Sequence, residues 1–245
     1  PLRRFALAIG AEADVERVQP PLAHWAYFLD AAPDAALGED GHPMRGGFLP
    51  AIALPRRMFA AARIRLLAPL DLGGEAQMTL RIADVQPKRG RSGDLVFVEV
   101  DRVLAQGGAA RVEERQSLVY RAIDGAATPL PVPADEAEAG EVWRPSTVTL
   151  FRFSAVTFNA HRIHYDQPYA TAVEGYPALV VHGPFAAARL AGFAARDGAL
   201  ESFAFRAQAP LFVGQPIRLR RAAADEVQAV RCDGVVSTVA KVGYR

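Results

Sequence analysis

An α+β fold of two successive modules, each an antiparallel sheet around one helix, is what the residue pattern of this chain predicts. Three observations carry it. A six-residue segment recurs, with Ala68-Pro-Leu-Asp-Leu-Gly73 echoed by Ala209-Pro-Leu-Phe-Val-Gly214, and alternating apolar positions follow each copy. In both halves apolar residues recur with period two between turn signals, the signature of antiparallel hairpins. One run, residues 185–195, is apolar on every face except at Arg189, as a helix enclosed by a sheet must be.

Taken in chain order, residues 22–29 read as a short helix. The stretch 46–55 stands where the first module's long helix should begin, but Gly46, Gly47, Pro50 and Pro55 interrupt it, so that module reads as degraded. Strands are expected at 78–82, 95–100 and 115–121, with turns at 88–93 and at Gln106-Gly-Gly108. Residues 124–145 are rich in Ala, Pro and Glu without hydrophobic periodicity and read as a linker. The modules are therefore 1–123 and 146–245. In the second, Gly183-Pro184 opens the buried helix and Arg196-Asp-Gly198 stops it. Strands at 217–220, 227–230 and 237–245 complete it, with a turn at Asp233-Gly234. A second identity, Phe59-Ala-Ala-Ala-Arg63 against Phe185-Ala-Ala-Ala-Arg189, sits at a different offset and carries little weight.

Composition excludes several functions. Lys plus Arg number 28 against 27 Asp plus Glu, a formal charge of +1, so no bulk field attracts nucleic acid or an anionic membrane. Apolar stretches fall far short of a membrane span and no signal peptide is visible, so a soluble, cytoplasmic protein is expected. The single cysteine, Cys232, rules out an internal disulfide and a multi-cysteine zinc site. Neither a Gly-x-Gly-x-x-Gly loop nor a Gly-x-Ser-x-Gly elbow is present. No cofactor is expected.

The chemistry concentrates in one place. Of five histidines, His161, His164 and His182 fall close together, the first two in Asn159-Ala-His161-Arg-Ile-His164-Tyr-Asp166. Imidazole is the side chain that exchanges protons near neutral pH. A lone loop histidine is usually just solvated, but Asn159 and Asp166 beside His164 favour a site. Gly183 either punctuates a helix start or offers an unhindered N–H at the positive helix end to an oxygen gaining charge. His182 reads more readily as a core histidine satisfied by a carbonyl than as a catalyst. Arg56 and Arg57 are either solvated or grip phosphate or carboxylate. His161 and His164 have a ligand spacing, but no third ligand is evident and no metal is expected.

The segment Ser154-Ala-Val-Thr-Phe-Asn159-Ala-His161-Arg-Ile-His164-Tyr-Asp166, with Glu174-Gly-Tyr-Pro-Ala-Leu-Val-Val-His182-Gly183-Pro184, closely resembles the MaoC-like hydratase/dehydratases of the hot-dog superfamily. The likeness is greatest to the branch containing mesaconyl-CoA hydratases and 3-hydroxyacyl-thioester dehydratases. Gly41-His-Pro-Met-Arg-Gly-Gly47, Pro55-Arg-Arg-Met58 and Lys88-Arg-Gly-Arg-Ser-Gly93 resemble that branch's N-terminal module. The resemblance implies a double hot dog, with two antiparallel sheets each wrapped around a long helix and the site in the second half. It implies a hydro-lyase acting at the 2,3 bond of an acyl-CoA or acyl-carrier-protein thioester, with a second copy of the chain as partner. In the wider family a D-x-N-P-x-H motif supplies a catalytic Asp and His. Here His164 holds the histidine place, and Asn159, which cannot take a proton, stands where the Asp would be. The implied roles are His164 as proton carrier, Asn159 as holder of water, Gly183 as donor to the thioester oxygen, and Arg162, Tyr165, His182, Arg56 and Arg57 as substrate contacts. A binding module without turnover, or a thioesterase on the same fold, is the alternative that Asn159 keeps open.

Overall fold

The computed structural model describes residues 1–12, 14–90, 93–123, 128–134 and 139–245. Parts of the expected linker (124–127, 135–138) and of the expected turn at 88–93 (91–92) lie outside the described residues. Among the described residues nine strands form one antiparallel sheet in the order β2 (Gln77–Gly90), β3 (Gly93–Gln106), β4 (Ala109–Arg121), β1 (Arg56–Leu66), β6 (Leu200–Ala207), β9 (Val236–Tyr244), β8 (Glu226–Val230), β7 (Ile217–Ala223) and β5 (Glu141–Trp143). The expectation of two separate sheets is corrected: β1 (Arg56–Leu66) pairs with β6 (Leu200–Ala207) from Ala61↔Arg206 to Arg65↔Ser202 and fuses the halves.

The repeat is real and sits where the order mirrors itself. β1 leads through the first copy into the meander β2 (Gln77–Gly90), β3 (Gly93–Gln106) and β4 (Ala109–Arg121). β6 leads through the second copy into β7 (Ile217–Ala223), β8 (Glu226–Val230) and β9 (Val236–Tyr244). Each copy turns on a glycine in the left-handed region, Gly73 at φ 76° and Gly214 at φ 78°, which a side chain would strain. The same five residues at 59–63 and 185–189 are strand in one half and helix in the other, so that identity has no structural meaning.

Among the described residues only the second half holds a long central helix. α3 (Gly183–Ala194) buries Phe185, Ala186, Ala187, Ala188, Leu190, Ala191 and Ala194; the small alanines let the sheet close around it. In the first half residues 46–55 form neither helix nor strand. Arg45 ties this segment down, donating to the carbonyls of Ile52 (2.7 Å), Leu54 and Pro55. The expected helix at 22–29 shrinks to a 3₁₀ turn, Ala23–Ala26, because Leu22 (φ 60°) and Phe28 (φ 53°) leave the helical region on either side. The linker ends in a short strand the sequence did not reveal, β5 (Glu141–Trp143), paired with β7; Trp143 packs edge-on against Phe185 at 4.8 Å. Two further helices, α1 (Leu2–Ala8) and α2 (Thr147–Thr157), pack on each other. Among the described residues no helix is long and apolar enough to cross a membrane.

Candidate active site

α2 aims the site. Its start is a capping box in which Thr149 N donates to Ser146 Oγ (3.2 Å) and Ser146 N to Thr149 Oγ1 (2.8 Å). It ends on Phe158 in the left-handed region, with Asn159 N donating to Ser154 O. The chain then turns sharply. Asn159 Oδ1 accepts from His161 N at 2.9 Å, so its amide oxygen braces this turn, while its NH2 group and a second lone pair on that oxygen remain for water. The next residues, Arg162–His164, form one 3₁₀ turn that buries His164.

The expected histidines do meet. His164 donates from Nδ1 to the Val180 carbonyl at 2.7 Å, since a carbonyl can only accept. This fixes the tautomer and leaves Nε2 with a lone pair. His182 stacks on His164 with ring centres 3.6 Å apart, and its Nε2 is 2.8 Å from Ser154 Oγ. The partner of His182 is thus a hydroxyl rather than the carbonyl anticipated, and its Nδ1 is buried without a hydrogen-bond partner among the described residues. His161 stands edge-on to His164 at 5.3 Å. Gly183 follows His182 as the first residue of α3; a Cβ there would lie 3.3 Å from the Phe59 carbonyl oxygen, so β1 presses directly on this helix start.

A fourth imidazole comes from the first half, and sequence reasoning missed it. His42 lies 4.1 Å, ring to ring, from His161. Asp40 receives His42 twice, from the backbone N at Oδ1 and from Nδ1 at Oδ2, both at 3.0 Å. Asp40, His42 and His161 offer donor atoms within 4.8 Å of one another, a grouping that the spacing of His161 and His164 did not suggest. The signal in the sequence was the Asp-Gly-His triplet at 40–42, whose relevance depends on a contact with residues far along the chain.

Burial keeps this cluster uncharged. His164 is pushed down to about 3 by desolvation, which the Val180 hydrogen bond only partly opposes. His182 and His161 are lowered by the same burial and by their imidazole neighbours. His42 is lowered by burial, with Asp40 pulling upward and Arg57 and Arg45 pulling down. Burial raises the Asp40 carboxyl, but the hydrogen bonds and charge of His42 outweigh it and hold Asp40 below the usual carboxylate range.

Three of the expected substrate contacts have hydrogen-bond partners within the protein. Arg56 is buried and donates to Glu174 Oε2 (2.7 Å) and Glu174 O (2.5 Å) across the Tyr176 ring. Arg162 binds Asp166 Oδ2 through Nε (2.9 Å) and an NH2 group (2.7 Å), reaches Glu39 O, and lies over Tyr169. Tyr165 donates its hydroxyl to Ala160 O at 3.1 Å. These three fasten the loops that carry the histidines. Arg57 differs: half-buried on β1, it bears electrostatically on both His42 and His161.

The family model for hydroxyacyl-thioester dehydratase type 2 matches residues 22–213. The chain belongs to this family. It is 49% identical over 206 residues to the mesaconyl-C(4)-CoA hydratase of Chloroflexus aurantiacus, covering 82% of this chain and 73% of that protein. Two solved structures share the fold. HtdX of Mycobacterium tuberculosis superposes with a TM-score of 0.65 at 18% identity, over 98% of this chain and 93% of that one. A MaoC-like dehydratase from Phytophthora capsici gives 0.63 at 16% identity, over 100% and 92%. The chain is thus a hot-dog-type α+β protein with one large antiparallel sheet and few helices.

Proposed function

We propose that this protein is a hydro-lyase that adds water to, or removes it from, the 2,3 bond of an enoyl or 3-hydroxyacyl thioester, a CoA ester of the mesaconyl type. The observation that carries the reading is the His164 tautomer, with Nδ1–H held by Val180 O and Nε2 left as a base beside the start of α3. The 49% identical hydratase supports the substrate class. In hydration, the water oxygen bonds C3 while its proton moves to an imidazole. The electron pair of the double bond moves through C2 to the thioester oxygen. That oxygen gathers charge at the Gly183 N–H, where the helix end is positive; losing such a donor costs about 3 kcal/mol. C2 then takes the proton back, so one proton enters and one leaves, and no ionised carboxylate at position 159 is needed. Arg57 meets the acyl carboxylate or a CoA phosphate. The two mirrored halves constitute a double hot dog, 1–123 and 146–245, joined through β1 and β6.

The test is an assay of purified protein with crotonyl-CoA and mesaconyl-CoA, following loss of enoyl absorbance and release of free thiol. Hydration without thiol release is expected, with His164→Ala lowering kcat at least roughly 100-fold while the protein stays folded. Thiol release without hydration makes the protein a thioesterase, and silence on both makes it a binding module.

A further inference from the structure

We infer that His42, held by Asp40, is the second proton-carrying imidazole of this site and supplies from the first half the carboxylate-backed function that position 159 has lost. The inference rests on the hydro-lyase reading above. Its ground is geometric. The loop bearing His42 is locked to the turn that bears His161: Arg162 N donates to Asp40 O at 2.9 Å and Arg162 NH1 to Glu39 O at 3.0 Å. Gly41 sits at φ 85° with its Cβ position only 1.9 Å from Ala160 O, an approach only glycine permits. Gly38 N donates to His42 O and Met44 N to Ala36 O, both at 2.8 Å, so the loop is a closed ribbon rather than a loose tip.

Within this frame Asp40 grips both the backbone and the ring of His42. The neutral ring then carries its proton on Nδ1 and its lone pair on Nε2, as in carboxylate–imidazole pairs that hold a transient imidazolium. Among the described residues, His42 is the clustered imidazole that hydrogen-bonds a carboxylate; His164 has a carbonyl and His182 a hydroxyl. A proton taken from water onto His164 creates a buried cation without a counterion. On His42 the same proton is paired with Asp40. His161 lies between the two, its ring centre 5.3 Å from that of His164 and 4.1 Å from that of His42. In hydration the proton leaves water for His164, passes through His161 to His42, and returns from the His42 imidazolium to C2, leaving every group as it began. The charged groups that bear on His42 are Asp40, Arg57 and Arg45, with His161 and His164 as its imidazole neighbours. Asp40 is a positioning residue: it acts on the substrate only through His42.

His42→Asn decides the matter, because an asparagine amide keeps a donor toward Asp40 and so preserves the loop, yet cannot carry a proton. With wild type active on an enoyl-CoA, kcat should fall about 100-fold with KM within about threefold and an unchanged melt. Asp40→Asn should lower kcat at least roughly tenfold and move the acidic limb of the pH–kcat profile to lower pH, since His42 loses the charge that favours its proton; Asp40→Glu should restore part of the activity. An active wild type whose His42→Asn variant turns over within about threefold of it overturns this inference alone. A wild type silent on thioesters overturns the hydro-lyase reading as well.

Discussion

Replacing Arg56 by alanine separates a fold-holding arginine from a substrate-binding one. The guanidinium makes two hydrogen bonds to Glu174, at 2.7 and 2.5 Å, and lies 4.8 Å from the Tyr176 ring centre. Glu174 is 4% exposed, so truncation leaves its carboxylate buried and its carbonyl without this donor. Breaking a buried pair from one side costs about 3–5 kcal/mol, and in a chain of this size each kcal/mol moves Tm by about 2–4 °C. A fall of roughly 6–20 °C is therefore expected, with KM for the enoyl-CoA unchanged at a temperature where the variant is folded. Arg56→Met combined with Glu174→Gln should recover much of the loss, because no bare charge remains. Arg57→Ala should behave oppositely, raising KM with little effect on the melt. A Tm within about 2 °C of wild type, together with a tenfold rise in KM for Arg56→Ala, would refute the assignment of Arg56 to the fold.

Gly41→Ala places a Cβ at 1.9 Å from the Ala160 carbonyl oxygen in a left-handed conformation; the loop must shift, and kcat should drop at least about tenfold, which steady-state kinetics reads directly. Asn159→Asp keeps an acceptor for His161 N, so the protein should fold and retain part of its activity while a new acidic limb enters the pH–kcat/KM profile; an unchanged profile would place residue 159 outside the reacting zone. Mild acid should destabilise the fold. Above about pH 6.5 His164 is neutral whether folded or unfolded, but below it the unfolded chain takes up a proton that the folded one, at about 3, refuses. By pH 5 that alone removes about 2 kcal/mol, and His42, His161 and His182 shift in the same direction. Melts at pH 7.5 and 5 should differ by at least roughly 4 °C, and equal melts would contradict the neutral cluster.

What could be read in advance was what local chemistry encodes. The hexapeptide repeat located its two equivalent glycine turns, and period-two alternation located the meander strands on either side. The Gln106-Gly-Gly108 turn works because Gly107 and Gly108 both adopt positive φ (56° and 78°), as a tight hairpin demands. The Gly183-Pro184 start of α3 was equally plain. The fusion of the halves was not, since β1 and β6 are strands whose pairing joins residues near 63 to residues near 204, and period alone cannot specify a partner so distant. Arg162, expected as a substrate contact, also pairs with Asp166 four residues on; that spacing is itself an ion-pair signal, and the structure uses it. For Arg56 no local cue existed, because Glu174 is 118 residues away.

The same distinction explains why the candidate site was half legible. His161, His164 and His182 share one segment and one helix start, so their nearness in sequence foretold their nearness in space. His42 reaches them because the 38–44 loop lands on Ala160 and Arg162. Reading the second half alone leaves an imidazole base that no carboxylate supports and an asparagine already holding a turn. Adding the first half supplies Asp40, through His42, at the edge of the same cluster. On this reading the first half cannot be a mere remnant of the repeat, although it has lost its central helix. The proton chemistry of the second half requires the loop that the first half folds against it, and a change such as Gly41→Ala, in the first half, should therefore act on kcat.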